Sequence, residues 1–146
     1  LWLIGPADKD DLDSASSRPG WKYVDYMPSM AQESAFAYVE RADVGLVVIR
    51  DVGGFASTDP NKLYEYMMFG KPFIASAFDA WKDKLADIDA GWFVEPGSAE
   101  EIADVLLNIS ENGEIATNKG ARGKNFTRSY NWETESQKLL ERDSEL

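Results

Sequence analysis

The sequence contains neither cysteine nor histidine, and these two absences exclude several kinds of site. Without cysteine, the chain can form no disulfide and no thiolate metal site. Without histidine, it lacks the commonest general base and the commonest zinc ligand of proteins. Serine–histidine and cysteine–histidine catalysis are therefore excluded within these 146 residues.

Positive charge is also scarce, since 15 Lys and Arg face 26 Asp and Glu, for a net charge of −11 at pH 7. This balance argues against a nucleic-acid partner, which needs a basic face, and against broad adhesion to anionic lipid. The basic residues between Lys119 and Arg128 are interpreted as a solvated helix face. No apolar run approaches the length of a membrane span, and no signal peptide is visible.

The surplus of acidic residues does not by itself indicate a metal or catalytic site. A polar run contains Asp8, Asp10, Asp11 and Asp13, but it lacks the glycine and the terminal glutamate of a calcium loop. Carboxylate pairs are expected in any acidic chain, so the composition gives no support to a glycosidase. We predict no metal site and interpret the run as solvated surface.

Apolar strand-like segments alternate with helical segments along the chain. The predicted strands are Leu1–Ile4, Trp21–Tyr26, Val44–Ile49, Phe73–Ala75 and Gly91–Val94. The predicted helices are 30–41, 60–69, 98–112, 114–128 and 131–142, with a shorter one within 77–90. This alternation predicts an α/β fold with a mostly parallel sheet and right-handed crossovers. Ligands of such sheets bind at the carboxyl ends of the strands.

The stretch 59–76 combines a helix start, an apolar stripe and a helix stop. Asp59 is predicted to cap the helix, with Pro60 at its first position. The apolar stripe at helical spacing contains Leu63, Tyr66 and Met67. Gly70 and Pro72 are predicted to end the helix before a short buried strand.

Two groups on this helix are candidates for binding an anionic ligand. The free amides at its start, with Asn61 and Lys62, suit a diphosphate, and Glu65 one turn deeper suits a ribose diol. Each has an ordinary alternative. The helix start can be an ordinary one whose lysine points to solvent. Glu65 can be an exposed acid whose charge balances that of Lys62 or Lys71.

Three further candidates lie at the ends of predicted strands, where the crevice is expected. Arg50 could bind phosphate as a fork, or it could pair with Asp51 or Asp43. Tyr26 and Met27 could line a base pocket, or they could belong to the core. These alternatives stay open on local sequence alone.

Taken in order, several segments resemble the donor-binding half of a GT-B glycosyltransferase of the large retaining group-1, family 4-like type. They are 1–6, 23–28, 38–44, 60–76, 91–97 and 130–133. The most specific is Pro-Asn-Lys-Leu-Tyr-Glu-Tyr-Met at 60–67, followed by Gly-Lys-Pro at 70–72. The resemblance implies a three-layer Rossmann-like α/β domain with a mostly parallel sheet. It would span residues 1–146 and lack its first strand and the N-terminal acceptor domain. The start without Met, inside an apolar strand, also suggests a piece of a longer protein.

The resemblance assigns roles to matched positions. Glu65 would hold the ribose hydroxyls, and Asn61 and Lys62 match residues whose amides meet the diphosphate, with Leu63 in the same donor-binding segment. The family has a first glutamate eight residues before the second, and here that position is Ser57. Because of this serine, the family's usual chemistry at the transferred sugar is in doubt for this chain, and the catalytic residues stay unassigned.

The remaining roles concern the base and the phosphate charge. Tyr26 and Met27 match the turn that packs on the base. The Arg and Lys that the family supplies from an earlier strand and loop are not among these residues, so Arg50 and Lys62 would take part of the neutralising role.

The resemblance also implies the reaction of the full enzyme. A hexosyl or glucuronosyl group would move from a nucleoside diphosphate sugar, UDP by default, to a glycan, polysaccharide or lipid-linked acceptor. Neither a metal ion nor a covalently bound cofactor is expected. The expected location is the cytoplasm, with peripheral association at the membrane face as an option, and this chain alone is expected to be inactive.

Two alternatives remain from the sequence. A sugar-nucleotide epimerase of the GT-B kind would share the topology, although such enzymes typically use histidine. A donor-like half that has lost activity and serves as a binding or scaffold domain would account for Ser57.

Overall fold

The computed structural model describes residues 1–130, in which strands and helices alternate as predicted. The strands are β1 (Trp2–Ile4), β2 (Asp25–Met27), β3 (Gly45–Val47), β4 (Phe73–Ser76) and β5 (Gly91–Val94). The helices are α1 (Lys9–Ser16), α2 (Gln32–Arg41), α3 (Asn61–Met68), α4 (Asp79–Leu85), α5 (Ala99–Glu111) and α6 (Gly113–Ser129). Short 3-10 helices occupy Pro19–Tyr23, Phe55–Ser57 and Ala86–Ile88. The helix predicted at 131–142 and most of the segment 130–133 lie outside the described residues.

The described residues divide into two compact units, of which the first is 1–41 and the second begins at Ala42. In the first unit, β1 and β2 pair in parallel, with Leu3 opposite Tyr26. In the second, the strand order is β3-β4-β5, and both pairings are again parallel. All strand pairs within residues 1–130 are parallel, so the predicted α/β fold with parallel strands is confirmed.

The first unit departs from the prediction at two places. Residues Pro19–Tyr23 form a 3-10 helix, so the strand predicted from Trp21 begins only at Asp25. The proline suits the first position of a helical turn, and the amide of Val24 closes the turn by donating to the Trp21 carbonyl at 2.9 Å. The aromatic pattern that suggested a strand reflects ring packing, because the Trp21 and Tyr26 ring centroids lie 6.4 Å apart. The second departure is helix α1, which has eight residues and lies in the polar run that we interpreted only as solvated surface.

The core of the second unit is built around β4 and helix α3. Every residue of β4 is buried, as expected for a strand between two neighbours in a parallel sheet. The predicted apolar stripe is confirmed, since Leu63 and Met67 are fully buried. Further core residues are Val47, Phe73, Ala75, Phe78, Trp81, Leu85 and Ala90.

Glycines allow α6 to approach α3 closely. A Cβ built on Gly120 would lie 2.1 Å from the carbonyl oxygen of Gly70, and one built on Gly123 would lie 2.7 Å from Cγ of Met67. Gly70 itself has a φ of +70°, which confirms the left-handed helix stop. Any side chain at position 120 would therefore separate the two helices.

Helix α6 is only in part the solvated basic face that the sequence predicted, since Arg122, Lys124 and Arg128 are exposed but Lys119 is not. Lys119 and Arg122 both form ion pairs with Asp89, which adopts a left-handed φ of +52°. The Lys119 ammonium also lies 5.0 Å from the centroid of the Trp92 ring. These basic side chains are thus used to hold α6 against the turn before β5.

Candidate functional site

The first turn of α3 is fixed by contacts with α4. The indole N–H of Trp81, a buried residue, donates to the carbonyl of Thr58 at 2.7 Å. One residue further, the Lys84 ammonium binds the Asp59 carboxylate at 2.6 Å, and this hydrogen bond raises the pKa of Lys84. The chain therefore enters α3 along a defined path.

The predicted role of Asp59 as a helix cap is wrong. The cap residue is Pro60, which has no side-chain cap, and the Asp59 carboxylate binds Lys84 instead. The amide of Leu63 donates to the Pro60 carbonyl at 3.0 Å. Helix geometry leaves the amides of Asn61 and Lys62 without an intrahelical acceptor. These two amides are the groups of the helix start that a ligand can reach.

Lys62 and Glu65 contact each other on the first turn of α3. The Lys62 Nζ lies 2.7 Å from Oε2 of Glu65, at a spacing of three residues. The lysine side chain is 64% exposed, whereas that of the glutamate is 24% exposed. Of the partners that the sequence offered Glu65, the structure selects Lys62 and not Lys71. Leu63 between them points into the core, so its side chain is not accessible to a ligand.

Arg50 lies beyond the end of β3, where Ser76 fixes the backbone. The buried Ser76 hydroxyl accepts from the amide of Ile49 at 2.8 Å and donates to the carbonyl of the same residue at 2.6 Å. Arg50 itself is exposed and packs over Gly97, where a Cβ would lie 3.4 Å from Nε. Within residues 1–130, Arg50 forms no ion pair, so neither Asp51 nor Asp43 neutralises it.

The loop between Arg50 and α3 contains Ser57, the position of the missing family glutamate. Its hydroxyl donates to the carbonyl of Gly54 at 2.8 Å, within the 3-10 turn. The Asp51 carboxylate accepts from the amide of Ala56 at 3.2 Å and closes the same loop. Ser57 thus supports the turn with its side chain, and the Asp51 carboxylate supports the same loop from its other end.

The two remaining predicted residues, Tyr26 and Met27, lie in the first unit at the end of β2. The Tyr26 hydroxyl donates to the Gly5 carbonyl at 2.9 Å, and the Met27 carbonyl accepts from the amide of Gly5 at 3.1 Å. Both residues are half-buried. They fix the end of β2 against the turn after β1.

An aromatic side chain flanks the start of α3. The Tyr64 ring stacks on that of Tyr130, with centroids 6.1 Å apart and planes at 23°. Burial, followed by the nearby Asp59 carboxylate, raises the pKa of the Tyr64 hydroxyl. Tyr64 therefore stays neutral at physiological pH and adds no charge beside the Asp59–Lys84 pair.

A separate cleft of about 570 Å³ lies elsewhere in the second unit. Its walls include residues 42–44, 70–72, Leu106 and Ile109. Because residues 42–44 and 70–72 precede β3 and β4, this cleft lies at the amino ends of the strands. It contains none of the predicted site residues.

Two negative observations apply to residues 1–130. No group of three or more acidic side chains there is placed to hold a metal ion. No helix in the same range has the length and apolar character needed to cross a membrane.

Sequence reasoning missed the residues that position the site. Trp81 fell only within a short predicted helix, and Ser76 lay just beyond the predicted strand Phe73–Ala75, which in the structure extends to include it. Ser76 carried one signal, because a serine that ends a fully apolar strand must find hydrogen-bond partners when it is buried. The Lys84–Asp59 pair joins residues 25 apart, and no local pattern indicates it.

Known proteins resemble this chain in sequence. A family model described as "Glycosyl transferases group 1" matches residues 1–112. A phosphatidyl-myo-inositol mannosyltransferase of Mycobacterium leprae (strain TN) is 30% identical over 140 residues, which are 96% of this chain and 36% of that protein. The chain thus spans little more than a third of the length of that relative.

Solved structures resemble the fold. HepE of Anabaena, in its complex with UDP-glucose, has a TM-score of 0.78 and 17% identity, over 99% of this chain and 40% of that one. The C-terminal domain of a glycosyl transferase group 1 family protein (LpcC) from Francisella tularensis has a TM-score of 0.72 and 21% identity, over 90% of this chain and 69% of that one. At these identities the likeness shows a shared α/β fold.

Proposed function

The chain belongs to the family of group 1 glycosyl transferases, and we propose that it is the donor-binding domain of an enzyme that uses a nucleoside diphosphate sugar. The observation that carries the proposal is the first turn of α3. There an exposed lysine, two amides without intrahelical acceptors and a half-buried glutamate share one surface. This combination provides a cation and donors for phosphate beside an acceptor for hydroxyl groups.

The diphosphate would meet the amides of Asn61 and Lys62 and the Lys62 ammonium. Arg50 would add a second cation, since its guanidinium has no ion-pair partner within the described residues and follows a strand at its carboxyl end. Catalysis would then rest on holding the donor and stabilising the departing diphosphate. These residues require no metal ion for that role, and metal-independent transfer is part of the proposal.

Glu65 would accept hydrogen bonds from the two ribose hydroxyls. Its partial burial behind Lys62 supports this role, because a half-buried carboxylate loses less solvation when it binds a diol than an exposed one does. Leu63 would act indirectly, since its buried side chain fixes the first turn of α3. Tyr26 and Met27 belong to the first unit, and their contact with the base stays a separate prediction.

The donor that we propose is a UDP-sugar. HepE, which shares the fold, has been solved with UDP and with UDP-glucose. The transferred group would be hexosyl or glucuronosyl. The acceptor would be a glycan, a polysaccharide or a lipid-linked sugar, bound by a further domain at the cytoplasmic face of a membrane.

Calorimetry with UDP, GDP and inorganic pyrophosphate tests the proposal. We expect UDP to bind and Glu65→Ala to weaken it about 10- to 100-fold, as expected for charge-assisted hydrogen bonds. Pyrophosphate affinity should not fall. Glu114→Ala, which removes an exposed acid from the first turn of α6, is the matched control and should leave UDP affinity unchanged. Equal loss of UDP and pyrophosphate in Glu65→Ala would contradict the ribose role.

Ser57 supports a second candidate, a donor-like domain without catalysis. Its hydroxyl is used within its own turn, and the family glutamate is absent. Such a scaffold would bind neither UDP nor GDP at millimolar concentration. Nucleotide binding by the wild-type chain would therefore exclude an inactive scaffold that has lost the donor site.

A further inference from the structure

The Lys62 ammonium and the Glu65 carboxylate, to which we assign ligand binding, form an ion pair with each other in this structure. The Lys62 ammonium lies 2.7 Å from Oε2 of Glu65. A carboxylate that receives both hydroxyls of a diol needs both of its oxygens. A ribose hydroxyl therefore competes with the Lys62 ammonium for Oε2, the oxygen that the ammonium already binds.

The pair is weak enough to be exchanged. It lies at the protein surface, with the lysine 64% exposed, and exposed pairs of this kind contribute little to stability. The lysine also precedes the glutamate in the helix, which is the less favourable order with respect to the helix dipole. Breaking the pair should reduce ligand affinity by only about two- to five-fold.

Ligands with and without phosphate differ in whether they offer the displaced Lys62 ammonium a new anionic partner. A nucleoside displaces the ammonium and offers it no other anion. A nucleoside diphosphate displaces it and supplies a phosphate within reach of the same side chain. The cost of breaking the pair is then offset only for the phosphorylated ligand.

We propose that the Lys62–Glu65 pair is a specificity device, which makes ribose recognition by Glu65 depend on a diphosphate that draws Lys62 away. The inference rests on the proposed donor site. It adds that Lys62 acts twice, as a phosphate ligand and as a competitor for the ribose acceptor. The device discriminates against nucleosides, because a nucleoside that binds Glu65 leaves the Lys62 ammonium without an anionic partner.

The first test measures UDP by calorimetry and uridine by its displacement of UDP. Lys62→Met removes the ammonium and keeps the length of the side chain. We expect this variant to bind UDP more weakly than the wild type but uridine about two- to five-fold more tightly. Lys71→Met is the matched control, since it makes the same charge change beyond the other end of α3 and should alter neither affinity.

The second test is a double-mutant cycle on UDP with Lys62→Met and Glu65→Gln. Each single substitution loses a ligand contact but also removes the cost of breaking the pair. That cost is therefore subtracted twice in the product of the two single losses but only once in the double variant. Its loss of UDP affinity should exceed the product of the two single losses by about two- to five-fold. A cooperative pair that acts only in the complex gives the opposite sign.

The outcomes separate the two proposals. If the wild type binds neither UDP nor GDP, the donor site itself is wrong, and the device falls with it. If the wild type binds UDP but Lys62→Met binds uridine no more tightly than the wild type does, the specificity device is wrong and the donor site stands. A double variant whose loss equals or falls short of the product of the single losses also overturns it. Should GDP be preferred, GDP and guanosine replace UDP and uridine in the same tests.

Discussion

The hydroxyl of Ser76 satisfies both backbone groups of Ile49, accepting from its amide and donating to its carbonyl. This extends the contact between β3 and β4 beyond their last paired residues, Val47 and Ala75. The following residue is Arg50, to which we assign phosphate binding. A buried side chain in the sheet thus sets the direction in which the site loop leaves.

Replacement of Ser76 by Ala should therefore affect both stability and the site. We expect a loss of about 3 kcal/mol in the free energy of unfolding, because two half-buried backbone groups lose their partner. Urea unfolding would measure it. Ser110→Ala is the control, since that hydroxyl is exposed and donates to a carbonyl of its own helix. Equal stability of the two variants would contradict the structural role of Ser76.

Gly120→Ala tests the close approach of α6 to α3. The new Cβ would lie 2.1 Å from the Gly70 carbonyl oxygen, and backbone cannot move aside cheaply. We expect the variant to be destabilised by about 3 kcal/mol or to fail to fold. Gly113→Ala, in the same helix, meets no atom within 4 Å and should be neutral or stabilising by up to about 1 kcal/mol. Thermal unfolding of both variants decides the matter, and a tolerated alanine at 120 would show that the helices are further apart.

Trp81→Phe tests whether the path into α3 matters for binding. The substitution keeps an aromatic ring but leaves the Thr58 carbonyl without its donor, which should cost about 1–3 kcal/mol of stability. We expect weaker UDP binding as well, because Asn61 and Lys62 follow three and four residues later. Trp92→Phe provides the control, since Trp92 contacts Lys119 of α6. Calorimetry should show UDP affinity reduced in the first variant and retained in the second.

Asp89→Asn tests the ion pairs at the turn before β5. The hydrogen bond from Lys119, followed by the charges of Lys119 and Arg122, lowers the pKa of the Asp89 carboxyl below its ordinary value of 3.8. A carboxyl whose pKa is depressed by folding adds stability above its unfolded pKa and loses it as the pH falls through the folded value. The side chain is half-exposed, so we expect a contribution of only about 1 kcal/mol at pH 7.

This contribution should disappear in acid. Wild type and Asp89→Asn should differ at pH 7 and converge as the pH falls below about 4, which urea unfolding across pH would show. Asparagine tolerates the left-handed backbone at this position, so the substitution isolates the charge. Asp79→Asn removes an exposed pair with Lys82 and should give no measurable difference at either pH. A difference for Asp89→Asn that persists at low pH would indicate a packing effect instead.

Much of the fold followed from local patterns. The helix stop at Gly70 and the stripe of Leu63 and Met67 were predictable because they depend on residues three or four apart. The capping serine of α5 was also predictable, since the Ser98 hydroxyl accepts from the amide of Glu101 at 3.3 Å. The Glu101 carboxylate reaches further than a capping box predicts, to the amide of Glu95 at 2.8 Å.

The candidate site was predictable in part. Its members on α3 and at Arg50 could be named from the resemblance to a family, and Lys62 was one of two partners offered for Glu65. The partner of Asp59 could not be named. Asp59 illustrates the reason. A local rule favoured a helix cap, and the packing of α4 offered a lysine that competes for the same carboxylate.

By itself the sequence determined the absence of cysteine and histidine chemistry, the alternation of strands and helices, and the family to which the chain belongs. These depend on composition and on spacings of a few residues. Only the tertiary structure decided that Trp81 holds Thr58, 23 residues away, and that Ser76 holds Ile49, 27 residues away. Contacts at such separations follow from how the buried faces of α3, β4 and α4 pack, and no local periodicity encodes that arrangement.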